Sequence, residues 1–302
     1  MPRVVIFEEF GPASVLQLVE RDLPDPPAGK IRVAVRAAGI NPVDIKLRSG
    51  AAQGYMPVTL PGRLGREFAG VVDALGDGVS GVAVGDPVFG INAGTALADF
   101  TIANPDNVTP KPTALPWDVA GSLPLVGLTA WDSFESQHVV ADDTVLVSAA
   151  AGGVGLLVAQ LAVAAGATVI GTAGASNHEF LSTLGITPIA YGPGLASRIR
   201  DVAPQGVTVV FDHHGAETVE TALELGVDRA RINSISGVAT TYDVQAVGRG
   251  PISTGTLDEL ARRIMASELR FEIDSVYPLA EVVQAYEHLE AGHVRGKVVV
   301  CP

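Results

Sequence analysis

The sequence predicts an α/β protein in which a β-rich part is joined to a doubly wound parallel sheet. Three observations carry this. Up to about residue 115, short β-branched stretches alternate with Pro- and Gly-rich turns. From about Pro116 the rhythm changes to strand–helix alternation, the pattern of a parallel sheet with crossover helices. Within that second part, Val145-Leu146-Val147-Ser148-Ala149-Ala150-Ala151-Gly152-Gly153-Val154-Gly155-Leu156-Leu157 reads as an apolar strand, a glycine turn and the start of a helix.

Taken in order, strands are expected at Lys30 to Ala37 and Ala69 to Ala74, with a loop marked by Pro24, Pro26 and Pro27. Turns are expected at Gly76-Asp77-Gly78 and Gly85-Asp86-Pro87. Asp142-Asp143 makes a turn before the apolar strand. The helix after the glycine turn runs from about Val154 to Ala165 and stops at Gly166, a C-terminal glycine. A β-branched strand follows at Thr168 to Thr172. Further strands fit Gly185 to Ile189, Val207 to Asp212 and Arg231 to Ile235. Thr256 to Ser267 has helical spacing. Asp274 to Pro278, a helix near Leu279 to Ala291 and the strand Lys297 to Val300 look like a return to the first part.

A strand, a glycine turn and a helix in that order aim a helix N-terminus and backbone N–H groups at an anion, usually a dinucleotide pyrophosphate. Ala150 stands where the first glycine of G-x-G-x-x-G would be, while Gly152 and Gly155 fill the second and third places. No Asp, Glu, Lys or Arg occurs from Thr144 to His178. Such a stretch could signal a membrane helix, but its glycines divide it, and strands buried between helix layers look the same. NAD-specific folds place an acid about 20 residues past the glycines, on the ribose 2′-hydroxyl. Here Thr172 to His178 offers hydroxyl, amide and imidazole donors instead, which suit a 2′-phosphate. NADPH is the expected cofactor, although Ser176 and Asn177 could equally cap the next helix.

At 302 residues the chain has room for two domains, and 47% apolar residues suffice for their cores. A net charge of −13 argues against nucleic acid. The one cysteine, Cys301, allows no intrachain disulfide and no cysteine metal cluster. The apolar run near Met1 is too short for a signal peptide, so a cytoplasmic location is expected.

Several stretches, in order, resemble the medium-chain dehydrogenase/reductases, and among them the zinc-independent quinone oxidoreductases and enone reductases. They are Ala38-Gly39-Ile40-Asn41-Pro42-Val43-Asp44-Ile45-Lys46, Arg48-Ser49-Gly50, Pro61-Gly62, and Gly65-Arg66-Glu67-Phe68-Ala69-Gly70-Val71-Val72. Val84-Gly85-Asp86-Pro87-Val88-Phe89, Gly127-Leu128-Thr129-Ala130-Trp131, the glycine turn and Arg295-Gly296-Lys297-Val298-Val299 complete the series. The resemblance implies a GroES-like β-rich domain from residues 1–115 and 268–302, and a Rossmann domain, a doubly wound parallel sheet, from 116–267. Cofactor and substrate would meet in a cleft between them. Relatives commonly form homodimers or homotetramers by extending the Rossmann sheet. The stretch from Ala239 to Thr256 looks short for that and carries Gly248, Gly250 and Pro251, so a homodimer stays an open expectation.

Zinc branches use Cys and His at two positions that correspond to Asn41 and Arg66. Both are poor zinc ligands, so no metal is expected. Hydride from NADPH can still reach a quinone or an α,β-unsaturated carbonyl, provided the protein orients the partners and stabilises the oxygen that gathers charge. The resemblance makes Lys46, one of four lysines, the expected donor to that oxygen. Asn41 either faces the nicotinamide and substrate or is a turn residue before Pro42. Asp44 either holds Lys46, touches the cofactor or caps a helix. Tyr55 and Arg66 are candidates for the substrate pocket, Arg66 alternatively pairing with Glu67. Thr129, Ser236 and Gly237 are expected near the nicotinamide, and His178 and Tyr191 near the 2′-phosphate. Cofactor contacts are further expected from Ala150, Gly152, Gly153, Val154, Gly155, Thr172 and Ser176. His213-His214 looks like a metal pair, but neighbouring residues at a strand end point apart, and a loop beside the cofactor fits better. The rival functions are a tailoring enoyl reductase acting on a polyketide-like intermediate and, in another class, a non-catalytic NADPH-binding sensor or structural protein.

Overall fold

The computed structural model describes residues 1–23, 25–92 and 94–302. Pro24, read above as part of a loop, lies outside the described residues. The chain divides into two compact units. One comprises Met1–Leu125, Ile252–Met265 and Glu272–Pro302, and the other Val126–Pro251 and Ala266–Phe271.

The first unit is built on a seven-stranded sheet. Its order is Ile273–Pro278, Lys297–Cys301, Ile31–Gly39, Glu67–Leu75, Pro87–Ile91 and Val108–Pro110, with Phe100–Ala103 also paired to Ile31–Gly39. Ile31, Val33 and Val35 alternate inward, the period-2 pattern of a strand with one buried face. A smaller sheet runs Gln17–Glu20, Arg3–Phe7 and Gly62–Arg63. Phe7, Leu64, Phe68 and Tyr286 are among the side chains of one buried core. The last strand pairs antiparallel with Ile31–Gly39, Val299 opposite Gly39 and Val300 opposite Ala38, and this register brings the C-terminus back to the β-rich unit.

The helix Trp117–Glu135 crosses the division in the chain, so the division falls later than the change of rhythm at Pro116. Its first turns lie too close to strand Ile31–Gly39 to belong elsewhere. A Cβ on Gly121 would stand 2.5 Å from the Ala37 carbonyl oxygen. The helix Thr254–Met265, expected with the parallel-sheet part, packs on Val108–Pro110 in the β-rich unit. Amphipathic spacing locates such a helix but does not say which core receives its apolar face.

The second unit carries a six-stranded parallel sheet. Its order is Thr187–Ile189, Thr168–Thr172, Thr144–Val147, Val209–Asp212, Ile232–Ser234 and Gln245–Ala246. Counted within the unit this is the doubly wound order 3-2-1-4-5-6, which reverses between Thr144–Val147 and Val209–Asp212. The helix after the glycine turn spans Gly153–Ala164, one residue earlier at each end than its spacing suggests, and Gly166 follows it in the left-handed conformation. The stretch after Ala239 holds a four-residue helix, Ala239–Tyr242, and the two-residue edge strand Gln245–Ala246. Beyond that strand the Gly250 N–H donates to the Asp132 carboxylate. No helix among the described residues is long and apolar enough to cross a membrane.

Candidate cofactor and active site

The glycine turn is shaped by two close approaches. A Cβ on Gly155 would stand 2.3 Å from the Ala149 carbonyl oxygen, so only glycine lets the helix start this near the strand. Ala150 takes the place of a glycine because the neighbouring strand makes room for it. A Cβ on Gly171 would meet the Ala150 Cβ at 2.6 Å, so the missing side chain has moved one strand over. Ala150 itself is fully buried, and its N–H donates to the Thr172 carbonyl oxygen at 3.0 Å. The Gly152 N–H likewise donates to the Ala149 carbonyl oxygen at 2.9 Å. These two N–H groups shape the turn. The groups that can meet an anion are those of the first helical turn at Gly153 and Val154. Both residues are partly exposed and lie at the head of a 12-residue helix whose first N–H groups have no intrahelical acceptor.

Thr172 is also used internally. It is buried, and its hydroxyl accepts from the Ala149 N–H at 3.3 Å. The His178 Nε2 lies 3.1 Å from the Ala173 carbonyl oxygen. Both residues hold the backbone around the turn, the alternative open to any short polar side chain beside a strand end. Ser176 and Tyr191 are exposed, and the Tyr191 ring lies 6.3 Å from that of His214.

At the carboxyl ends of the middle strands sits a group of residues whose centre, Asp212 with Ser148 and Ser234, the sequence reading missed. Asp212 is fully buried. Its Oδ1 accepts from the Ser148 hydroxyl (3.2 Å) and from the His214 and Gly215 N–H groups (3.0 and 2.8 Å). Its Oδ2 accepts from the Ser234 and Ser236 hydroxyls at 2.6 and 2.7 Å. One carboxylate therefore ties together the loops leaving three parallel strands. Ser236, expected at the nicotinamide, has its hydroxyl in this network, and Gly237 beside it is exposed. The available signal was an acid ending an otherwise apolar strand. Next to it, His213 is half-buried, with Nε2 3.4 Å from the Ser133 hydroxyl and a buried Nδ1 that has no hydrogen-bond partner among the described residues. Burial pushes it down to about 4, against the pull of the Asp212 charge, so it is neutral at pH 7. Thr129 is buried in the same unit, on Trp117–Glu135.

In the β-rich unit the structure brings Asn41 and Asp44 together at the start of helix Pro42–Arg48. Asn41 is its N-cap and Asp44 completes a capping box, with the Asn41 N–H donating to Asp44 Oδ2 at 2.9 Å. The Asn41 amide is turned inward. Its Nδ2 donates to Glu67 Oε1 at 2.8 Å, and its Oδ1 accepts from Lys297 Nζ. Lys297 also donates to Glu67 Oε1 and to the Ile40 carbonyl oxygen, both at 2.9 Å, and the Leu125 N–H donates to Glu67 Oε2 at 2.7 Å. Lys297 is 3% exposed and Glu67 fully buried. The placement agrees with the turn and cap alternatives stated for Asn41 and Asp44. Asn41 is the helix N-cap with its amide held by Glu67 and Lys297, and Asp44 caps the same helix through Oδ2, while its Oδ1 is buried with no hydrogen-bond partner among the described residues. The cation on Glu67 is Lys297, not Arg66. Burial pushes the Asp44 carboxyl up to about 6, against the pull of the Asn41 N–H and of Lys297. Lys46 is partly exposed on the same helix, Arg66 is partly exposed, and Tyr55 stands out from the turn after it, 63% exposed. Glu67 and Lys297 had a signal too, as charges set in apolar strands.

Among the described residues no group of three or more His, Cys, Asp or Glu side chains could hold a metal ion. The alcohol dehydrogenase GroES-like domain family matches residues 27–146, and the family described as zinc-binding dehydrogenase matches 187–300. Quinone oxidoreductase 1 of Escherichia coli is 30% identical, over 98% of this chain and 98% of its own. The chain belongs to the quinone oxidoreductases of the medium-chain dehydrogenase/reductase family. A crystal structure of Escherichia coli quinone oxidoreductase complexed with NADPH superposes with a TM-score of 0.88 at 29% identity, covering 99% of this chain and 100% of that one. A structure of an NAD-dependent alcohol dehydrogenase reaches 0.87 at 28% identity, with 99% of each chain covered. Chains of this fold thus include proteins described with more than one cofactor and substrate.

Proposed function

We infer that this quinone oxidoreductase family member reduces a quinone or an α,β-unsaturated carbonyl with NADPH and without a metal. The observation that carries the reading is the glycine turn. Gly155 packed under Ala149 presents the N–H groups of Gly153 and Val154 at a helix head, a cradle for a pyrophosphate. The absence of an acid from Thr172 to His178 favours the 2′-phosphate form, and a relative's structure titled as an NADPH complex supports it. Bound NADPH supplies the hydride. The chain's part is to fix the cofactor at the glycine turn, to hold the acceptor, and to stabilise its oxygen as charge arrives there. Lys46, partly exposed, is the residue we assign to donate to that oxygen, with Tyr55 and Arg66 lining the substrate side. Asn41 and Asp44 serve by fixing the start of the helix that carries Lys46. We further propose that the enzyme works in the cytoplasm on a small molecule, with no role for nucleic acid given its net charge of −13.

Stopped-flow mixing of the NADPH-loaded protein with a panel of quinones and cyclic enones tests the reading. Single-turnover loss of NADPH absorbance with at least one acceptor is expected, and no turnover with any of them defeats it. Fluorescence titration with both cofactors should show tighter binding of NADPH than of NADH, and equal affinity would overturn the cofactor assignment.

A further inference from the structure

The rings of Tyr191 and His214 come together from opposite sides of the cofactor end of the sheet. Tyr191 lies two residues beyond strand Thr187–Ile189 and His214 two residues beyond Val209–Asp212. These strands are first and fourth in the sheet order, separated by Thr168–Thr172 and Thr144–Val147. Strands about 4.8 Å apart put them about 14 Å from each other. Yet the ring centroids are 6.3 Å apart with 32° between planes. The two side chains therefore lean toward each other across the carboxyl ends of the middle strands, where Thr172 and the glycine turn lie. Both residues are exposed. The backbone beneath His214 is fixed, since its N–H and that of Gly215 both donate to the buried Asp212.

Two of the side chains that first suggest a 2′-phosphate site are partly committed to the backbone. The Thr172 hydroxyl is engaged at the Ala149 N–H and the His178 imidazole at the Ala173 carbonyl oxygen. An imidazole held on a rigid loop and backed by an aromatic ring remains at the same end of the sheet. We propose that His214, supported by the Tyr191 ring, is a specificity-determining residue that donates an N–H to the adenosine 2′-phosphate of the cofactor. The proposal rests on the NADPH reading above. Its chemistry is specific to the phosphate, because a ribose 2′-hydroxyl carries no charge to strengthen the hydrogen bond.

Calorimetric titration with adenosine 2′,5′-bisphosphate and adenosine 5′-monophosphate tests it on the wild-type protein and on His214→Ala and His214→Asn. The wild type should bind the bisphosphate more tightly. His214→Ala should lose about tenfold in affinity for the bisphosphate, the worth of one charge-assisted hydrogen bond, while its affinity for the monophosphate holds. His214→Asn, which keeps a donor, should recover part of the loss. A His214→Ala protein that binds both probes as the wild type does, or that loses equally on both, overturns the assignment of His214 and leaves the cofactor reading standing. A wild type that does not distinguish the two probes overturns the cofactor reading, and this proposal falls with it.

Discussion

Glu67 in the β-rich unit and Asp212 in the parallel-sheet unit are both fully buried, yet Glu67 meets a cation and Asp212 only neutral donors. Glu67 is joined to Lys297, 230 residues away, so the pair fastens the last strand to the first half of the chain. Asp212 is held by three serine hydroxyls and two backbone N–H groups, all at the carboxyl end of one sheet. The difference separates two uses of a buried carboxylate. An ion pair in low dielectric is costly to assemble and much costlier to break, so it enforces which strands come together. A carboxylate ringed by neutral donors spreads its charge over many hydrogen bonds, so it sets the shape of the loops that contribute them.

The largest effect expected from this contrast is at the ion pair. Lys297→Met should lower stability by about 3–5 kcal/mol, because Glu67 is left buried and uncompensated. Lys297→Met with Glu67→Leu should recover only part of that loss, since an apolar pair removes both desolvation penalties but takes away the partners that the Asn41 amide and the Leu125 N–H find in this pair. Urea denaturation of the three proteins checks it. A loss below about 1 kcal/mol in the single variant would mean that the pair contributes no more than an exposed one and does not enforce the strand pairing.

Asp212→Asn should have a smaller effect on stability, about 1–3 kcal/mol, because the shape is kept and one acceptor atom becomes a donor facing other donors. Its effect on cofactor affinity should exceed that of Lys297→Met, since Ser148, Ser236 and the backbone of His214 and Gly215 all take their positions from this carboxylate. Thermal denaturation and NADPH titration of both variants would separate the two. If Lys297→Met weakens NADPH more than Asp212→Asn does, the division of labour drawn here is wrong.

The strands and helices of the parallel-sheet unit were largely legible because each is a local pattern. Thr168–Thr172 is a β-branched run and Gly153–Ala164 an apolar run between glycines, so boundaries fall within a residue or so. The glycine turn was legible for the same reason. What Ala150 needed was not, because its partner Gly171 lies on the adjacent strand and reads there as an ordinary residue. Asn41 shows the other limit. An Asn before Pro is equally a cap or a ligand contact, and the decision is made by Glu67 and Lys297, neither near it in sequence. The Asp212 network likewise joins Ser148, Ser234 and Ser236, which only the parallel pairing of three strands brings to one point. Long-range polar pairing, unlike periodicity, leaves no trace in any single window.

The smallest effect, and the one that distinguishes the units most directly, is the response to acid. Burial raises Asp44 from 3.8 to about 6, so the folded β-rich unit holds a proton that the unfolded chain has released. Between these values the folded form binds more protons, and the stability of this unit falls as pH rises. Burial lowers His213 from 6.5 to about 4, so the folded parallel-sheet unit refuses a proton that the unfolded chain binds. Its contribution is complete above 6.5 and is lost as pH falls toward 4. The two units should therefore shift in opposite directions between about pH 4 and 6. Native-state hydrogen exchange resolves them, since protection can be followed separately in Glu67–Leu75 and in Val209–Asp212. In Asp44→Asn the pH slope in Glu67–Leu75 should flatten while that in Val209–Asp212 stays, and His213→Asn should do the reverse. If both segments lose protection in parallel on acidification, and neither substitution alters the slope of its own unit, then the buried groups are not what couples stability to pH.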